Sequence, residues 1–205
     1  MSECYGVRMR IVAIIDIDTT IANNDHRAVL LRRECVECKM PMPTEHRPTC
    51  ANCGGTKHRT PQGAWDQFLQ PDLMLLDDPQ PHSLDVINFM RKHGYTIVFM
   101  TGRNETHRTV TQKWLEKHNY WQEGDQLIMR PKTDAGTPAS QMKEKMFLEY
   151  RYMTGAPEDQ YLFFEDDRYV LGTWQKYGLV FVCPAAWEHM NPVVEDRTVE
   201  PVWNR

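Results

Sequence analysis

Ile11-Val-Ala-Ile-Ile15 is an apolar run with no polar residue inside it, and it breaks off at Asp16-Ile-Asp18-Thr-Thr20. β-Branched residues without alternation predict a strand buried on both faces, as at the centre of a parallel sheet. A second regular pattern begins near residue 83. It predicts a helix over 84–92, a strand over 95–100 ending at Thr101-Gly102-Arg103, and a capped helix over 105–117. A short strand over 126–130, a helix around 140–152, a strand over 161–164 ending at Glu165-Asp166-Asp167, a helix over 169–177 and a strand over 179–182 follow. Strand and helix alternating at this spacing predict an α/β fold, a doubly wound parallel sheet with right-handed crossovers, over residues 8–22 and 82–183.

The stretch between, residues 23–81, breaks this rhythm and reads as a cap insertion. Asn23-Asn-Asp25 predicts the cap of a helix running on through Arg33. From Cys35 to Cys53 the chain is rich in Pro, Thr and Cys and has too few large apolar residues to build its own core. It needs a staple, and Cys35-x-x-Cys38 followed by Cys50-x-x-Cys53 supplies four thiolates at the spacing of a tetrahedral structural Zn²⁺ site. Four cysteines close the coordination sphere, so His46 and His58 are not required. Trp65 and Phe68 fall at helical spacing and read as packing residues. Leu73-Met-Leu-Leu-Asp77-Asp78-Pro79 imitates a strand ending in paired carboxylates, but its Pro and short length read as a turn. Residues 184–205, with scattered Pro and Trp, read as a packed irregular arm.

Composition narrows the classes. The chain has 205 residues, room for one α/β core with a modest insertion, and its 41% hydrophobic and 25% charged residues are those of a globular protein. A formal charge of −4 provides no global field for nucleic acid, so such a contact would be local. The insertion is the place for it, since residues 26–60 hold seven Arg or Lys against three Asp or Glu. No run approaches the roughly 20 apolar residues of a membrane span, and Met1-Ser-Glu-Cys-Tyr-Gly6 lacks the regions of a secretory signal, so a cytoplasmic protein without a membrane is expected. Metal-spaced cysteines suit that reducing compartment. Cys4 and Cys183 receive no role.

Asp16 and Asp18 lie where open α/β sheets bind ligands, at the carboxyl end of a strand, and paired carboxylates there can hold a divalent metal, attack an electrophile or move protons. Taken singly, Thr101 is an ordinary helix cap, Lys143 a solvated helix residue and Arg103 a surface charge. In chain order, however, Asp16/Asp18/Thr20, Thr101, Lys143 and Asp166/Asp167 resemble the four motifs of the haloacid dehalogenase (HAD) superfamily of phosphotransferases, over about residues 10–183. Within it, Gly94-Tyr-Thr-Ile-Val-Phe-Met-Thr-Gly-Arg103, Leu127-Ile-Met-Arg130 with Asp134 downstream, Met142-Lys143-Glu-Lys-Met-Phe147 and Glu165-Asp-Asp-Arg168 are similar to the 3′-phosphatase domain of polynucleotide kinases. There are departures. The family's Asp-x-Arg before the lysine is here Asp134-Ala-Gly136, and no Gly-x4-Gly-Lys-Ser/Thr phosphate loop of a kinase half occurs.

The resemblance implies a Mg²⁺-dependent phosphomonoester hydrolase working through an aspartyl-phosphate. Asp16 would be the nucleophile. Mg²⁺ would be held by Asp16, the backbone carbonyl of Asp18 and Asp166, with Asp167 orienting the shell. Asp18 would protonate the leaving alkoxide and then deprotonate water, while Thr101 and Lys143 bind the transferring phosphoryl group. Thr20, Gly102, Arg103 and Arg130 are the substrate-binding candidates. The expected substrate is a 3′-phosphorylated nucleic-acid end; the alternatives are a mononucleotide or another small phosphate ester, and a non-catalytic zinc-ribbon adaptor for nucleic acid.

Overall fold

The structure is a computed structural model describing residues 10–42, 49–134, 136–154 and 159–190. Cys4, His46, Arg47 and most of the C-terminal arm lie outside the described residues. Five parallel strands form the central sheet: β1 (Ile11–Ile15), β2 (Thr96–Asn104), β3 (Gln126–Arg130), β4 (Gln160–Glu165) and β5 (Leu179–Val182), in the order β3-β2-β1-β4-β5. The principal helices are α1 (Ser83–Lys92), α2 (Arg108–Lys117), α3 (Ala139–Thr154), α4 (Arg168–Trp174) and α5 (Ala185–Met190).

The uninterrupted apolar run of β1 has its explanation in two cores. Ala13 and Ile15 face one cluster with Val86, Ile87, Trp114 and Trp187, and Val12 and Ile14 face another with Met142, Met146, Phe147 and Trp174. Strand side chains alternate between faces, and here both faces are buried, so both must be apolar. The helices lie on both sides and the sheet is doubly wound. The chain proceeds outward from β1 through β2 to β3 and then crosses back to place β4 on the other side of β1. This reversal puts a topological switch point between the carboxyl ends of β1 and β4, the crevice where such sheets bind ligands.

The insertion leaves and returns through a two-residue antiparallel pair, Ala22–Asn23 with Asp78–Pro79. Several boundaries differ from expectation. The first helix is only Asp25–Ala28 with a 3₁₀ turn, Val29–Leu31, and Asn24 does not cap it; its side chain donates instead to Asp18. The segment expected to be a turn at 73–79 contributes the end of the helix Pro71–Met74 and the return strand. β2 runs past Thr101 to Asn104 through an irregularity in its pairing with β3, so Thr101 lies within a strand. A 3₁₀ turn, Glu105–His107, precedes α2, and α4 stops at Trp174. The start of the arm is helical rather than irregular: α5 buries Trp187, stacked 4.8 Å from Phe164 of β4. No helix among the described residues is long and apolar enough to cross a membrane.

Candidate active site and metal centres

At the switch point β1 delivers Asp16 and β4 delivers Glu165 and Asp166, whose carboxylate oxygens lie within 4.8 Å of one another. Asp16 and Glu165 are buried, and α3 supplies one buried cation between them. Lys143 Nζ is 2.8 Å from Asp16 Oδ1 and 2.6 Å from Glu165 Oε2. Asp166 forms no ion pair among the described residues and accepts from the Thr20 hydroxyl at 3.0 Å. Three carboxylates with one ammonium leave negative charge in a poorly solvated place. Burial therefore pushes the Asp16 carboxyl up to about 7, with Lys143 opposing and Glu165 and Asp18 adding to the rise. Burial likewise raises Asp166 to about 6, with repulsion from Asp16 contributing, and raises Glu165. Lys143 is stabilised as the ammonium, because its two carboxylate partners outweigh the cost of its burial.

Asp18 has a different environment. Ile17 continues the buried strand line and Thr19 turns the chain at φ 65, a left-handed conformation that a β-branched residue adopts only at a cost in strain. The turn leaves the Asp18 side chain 26% exposed and held by two guanidiniums: Arg103 Nε and Nη2 at 2.8 Å each, and Arg27 Nη2 at 2.6 Å. Both arginines also bind Asp77, Arg27 at 2.5 and 2.6 Å and Arg103 at 2.9 Å. Arg27, Arg103 and Asp77 are all buried. Buried charges persist where they are paired, and this quartet pairs two of each sign. Burial opposes the charge on Asp18, but Arg103 and Arg27 prevail and hold its carboxyl well below the usual range.

The quartet joins the insertion to the core, since Arg27 and Asp77 come from the insertion, and Asp18 and Arg103 from the core. Local pattern does not single out Arg27 or Asp77. The signal for Asp77 is the apolar run before it, which reads as a turn, and Arg27 has the look of a solvated helix cation. Glu165 is visible as the last residue of β4 but stands in the shadow of its two aspartate neighbours.

Asp16, Asp18, Gly102, Arg103, Arg130 and Lys143 border one cavity of about 680 Å³, together with Asp166 and Asp167. Buried N–H groups at Arg103 Nη1 and Arg130 Nε have no partner among the described residues, which suits an anionic guest. Other expected residues are placed differently. The Thr20 hydroxyl is spent on Asp166, and the Thr20 carbonyl accepts from Trp187 Nε1 at 2.7 Å. Thr101 is fully buried and its hydroxyl accepts from the Arg103 backbone N–H. The Asp167 carboxylate caps α4 by accepting from the Tyr169 N–H at 2.8 Å, outside the carboxylate cluster.

The second centre lies in the insertion. The sulfurs of Cys35, Cys38, Cys50 and Cys53 also lie within 4.8 Å of one another. The two Cys-x-x-Cys turns share one conformation. The N–H four residues after the first cysteine returns to its carbonyl, Lys39 to Cys35 and Gly54 to Cys50, and Lys39 and Gly54 both take the left-handed region, φ 62 and 74. These are free thiols rather than disulfides, and hydrogen bonds from Asn52 and Met40 draw Cys38 down to about 6, which favours the thiolate. The donor set, four sulfurs converging on a space of that size, fits Zn²⁺.

The family model described as HAD superfamily, subfamily IIIB (acid phosphatase) matches residues 52–154, half of the chain. The chain belongs to the HAD superfamily. It is a phosphatase of that superfamily, with Thr101 and Lys143 inside the matched stretch and Asp16 and Asp166 outside it. Among solved structures, this HAD phosphatase is similar in fold to a chain of a Pnkp1/Rnl/Hen1 complex, at TM-score 0.53 and 17% identity over 86% of this chain and 47% of that one. A chain of the Pnkp1/Rnl/Hen1 RNA repair complex gives TM-score 0.51 and 16% identity over 87% and 45%. The protein thus spans about half the length of those chains. Comparison with curated proteins finds no match.

Proposed function

We propose that this HAD phosphatase is a Mg²⁺-dependent polynucleotide 3′-phosphatase that processes nucleic-acid ends. The observation that carries the chemistry is the triad of Asp16, Glu165 and Asp166, with a single ammonium, at the switch point of the sheet. Carboxylates whose protonation is raised by their own crowding and burial fit a hard divalent cation with oxygen ligands, held by Asp16, Glu165 and Asp166 with the Asp18 carbonyl beside them. Bound there, Mg²⁺ would neutralise phosphoryl charge that otherwise repels a carboxylate nucleophile.

The protein's own groups supply the rest. Asp16 forms the new bond to phosphorus as the bond to the 3′-oxygen breaks, giving an aspartyl-phosphate. Lys143, fixed as an ammonium against Asp16, offsets charge on the transferring group, and the free N–H groups of Arg103 and Arg130 bind its oxygens. Asp18 then takes the proton of the water that opens the aspartyl-phosphate. Two guanidiniums keep Asp18 ionised at rest and so able to accept that proton, which then passes to solvent; because the same pair opposes the protonated form, the departing 3′-oxygen takes its proton from water in the cavity and leaves as the alcohol.

A nucleic-acid end as substrate is supported by the fold likeness to chains of an RNA repair complex, by a cavity much larger than one phosphoryl group, and by the insertion. Its surface charge is smaller than the sequence count, because Arg27 is buried and Lys39 and Arg59 pair with Glu34. Arg32, Arg33 and Lys57 remain exposed without an ion pair among the described residues. Thiolate zinc chemistry in the insertion accords with a cytoplasmic location. The test is phosphate release from 3′-phosphorylated oligonucleotide, 5′-phosphorylated oligonucleotide and mononucleotides, with and without Mg²⁺. The 3′-phosphorylated oligonucleotide should be turned over fastest, and only with the metal. Preference for mononucleotides or a 5′-phosphate would overturn the reading and favour the small-molecule phosphatase.

A further inference from the structure

Helical spacing predicts that Trp65 packs into a core, and it does not. Its residue is 56% exposed, whereas Trp114, Trp174 and Trp187 are buried. The exposed indole borders the cavity that holds Asp16, Lys143 and Asp166, and Leu31, Phe68 and Leu69 join it in an apolar wall supplied by the insertion. A phosphoryl group has no use for such a wall. A cavity of about 680 Å³ lies in the size range of small-molecule sites, with room for the group that carries the phosphate.

The indole is also held in place. Phe68 meets it edge-on with ring centroids 5.6 Å apart and planes at 81°. Phe68 is buried, and the Arg27 guanidinium lies 4.1 Å from the centre of its ring. Arg27 in turn grips Asp18, so one connected stack of side chains ties the exposed indole to a carboxylate at the reaction centre. With one ring contact to Phe68 and the rest open to the cavity, the indole presents a broad aromatic surface that has only two side-chain torsions to fix on binding.

We propose that Trp65 is the stacking platform for the base of the nucleotide that bears the scissile phosphate, with Leu31 and Leu69 completing the apolar side of that subsite. This rests on the proposed function, in which the substrate carries a nucleotide. Recognition by stacking would tolerate any base, since each has an aromatic face, and would give the site a preference for base-bearing esters over bare sugar or polyol phosphates.

The test uses the full chain with Mg²⁺ and two oligonucleotides that carry a 3′-phosphate, one with a normal terminal nucleotide and one whose terminal nucleotide is abasic. For the normal end, Trp65→Ala should raise KM about tenfold, equivalent to ~1.4 kcal/mol, with kcat within about twofold, and Trp65→Phe should restore most of the loss. For the abasic end, the wild type should already show the raised KM, and Trp65→Ala should add nothing. Equal effects on both substrates, or no effect on either, would overturn the proposal. Thermal melts of both variants matching the wild type would separate lost stacking from lost folding. Failure of the polynucleotide reading shows separately, as wild-type preference for mononucleotides. In that event the same comparison, run on a nucleoside monophosphate against glycerol phosphate, decides the stacking, because it depends on the base and not on the strand. If no base-bearing ester is turned over, both proposals fall.

Discussion

The sheet and the insertion meet at one cavity but are held together by different forces. β1 buries Val12 and Ile14 on one face and Ala13 and Ile15 on the other, and each face joins a cluster of a dozen or more buried residues. Among the described residues, the cluster around the four cysteines contains only Cys35, Met42 and Cys50, with Cys38 against them. Burial stabilises the sheet without help, and the water it excludes is what drives up the carboxyls of Asp16 and Asp166 at its edge. The insertion excludes little water and leaves Cys53 exposed, and its four converging sulfurs are suited to an ion that would supply the order its core does not. The difference teaches that the two metal centres should answer removal of their ions in opposite ways: the core loses activity and keeps its fold, and the insertion loses its fold.

The largest expected effect therefore concerns zinc. Metal analysis should find about one Zn²⁺ per chain, and Cys50→Ser or chelation should expose residues 35–59 to protease, since structural zinc sites of this kind carry an apparent ~10 kcal/mol or more of folding free energy. The core should melt as before. An insertion that stays protected after chelation would erase the contrast between the two regions.

Asp16→Asn tests the other half of it. Turnover should fall by at least about 10⁴-fold with the melting temperature retained or raised, because the change removes the proposed nucleophile and relieves crowding among buried carboxylates. Retained activity would remove Asp16 from the mechanism.

Where the two regions are joined, Asp77→Asn should cost roughly 3–5 kcal/mol of stability, read by denaturant melts, by leaving Arg27 and Arg103 with one carboxylate between them. Arg27→Met combined with it should cost less than the sum of the two single changes, since the two side chains are partners. Additive losses would mean that the quartet is not a unit.

pH sharpens the comparison further. The folded-state values of Asp16 and Asp166, about 7 and about 6, lie above the ordinary carboxyl value of 3.8, so the native state binds more protons than the unfolded one between about pH 4 and 7. Their contribution is present in full below pH 4 and is lost as pH rises through 7. Without divalent metal, the stability of the wild type relative to Asp16→Asn should fall from pH 5 to pH 8. Mg²⁺ should restore it most at pH 8, by about 2.7 kcal/mol at a hundredfold excess over Kd. A flat difference between the two proteins would sink this account of the carboxylates.

The smallest effect is at the surface of the insertion. Joint replacement of Arg47, Lys57 and Arg59 by Ala should make the log affinity for a 3′-phosphorylated oligonucleotide less steep in log salt by roughly 0.7 for each backbone phosphate that is no longer neutralised. The pairing of Arg59 with Glu34 argues that fewer than three phosphates are engaged by these cations. No change in slope would reduce the insertion to a zinc-stapled wall.

Much of the fold is legible in the chain itself because the signals are local. Periodicity and turn residues report on neighbours in sequence, so β1, β3 and β5 can be read to within a residue, and the Cys-x-x-Cys spacing marks a candidate metal centre. Asp16, Asp166 and Lys143 can be placed by their positions at the ends of predicted elements or on them. What only tertiary structure decided is how charges separated by 9 to 127 residues share partners: Asp18 with Arg27 and Arg103, both again with Asp77, and Asp16 with Glu165 through Lys143. A buried ion pair leaves no trace in local pattern, because each member alone has the composition of a surface residue. Trp65 fails in the reverse sense. Its helical spacing promises a core position, and whether an apolar face is covered depends on what the rest of the chain brings to it, which here is an open cavity.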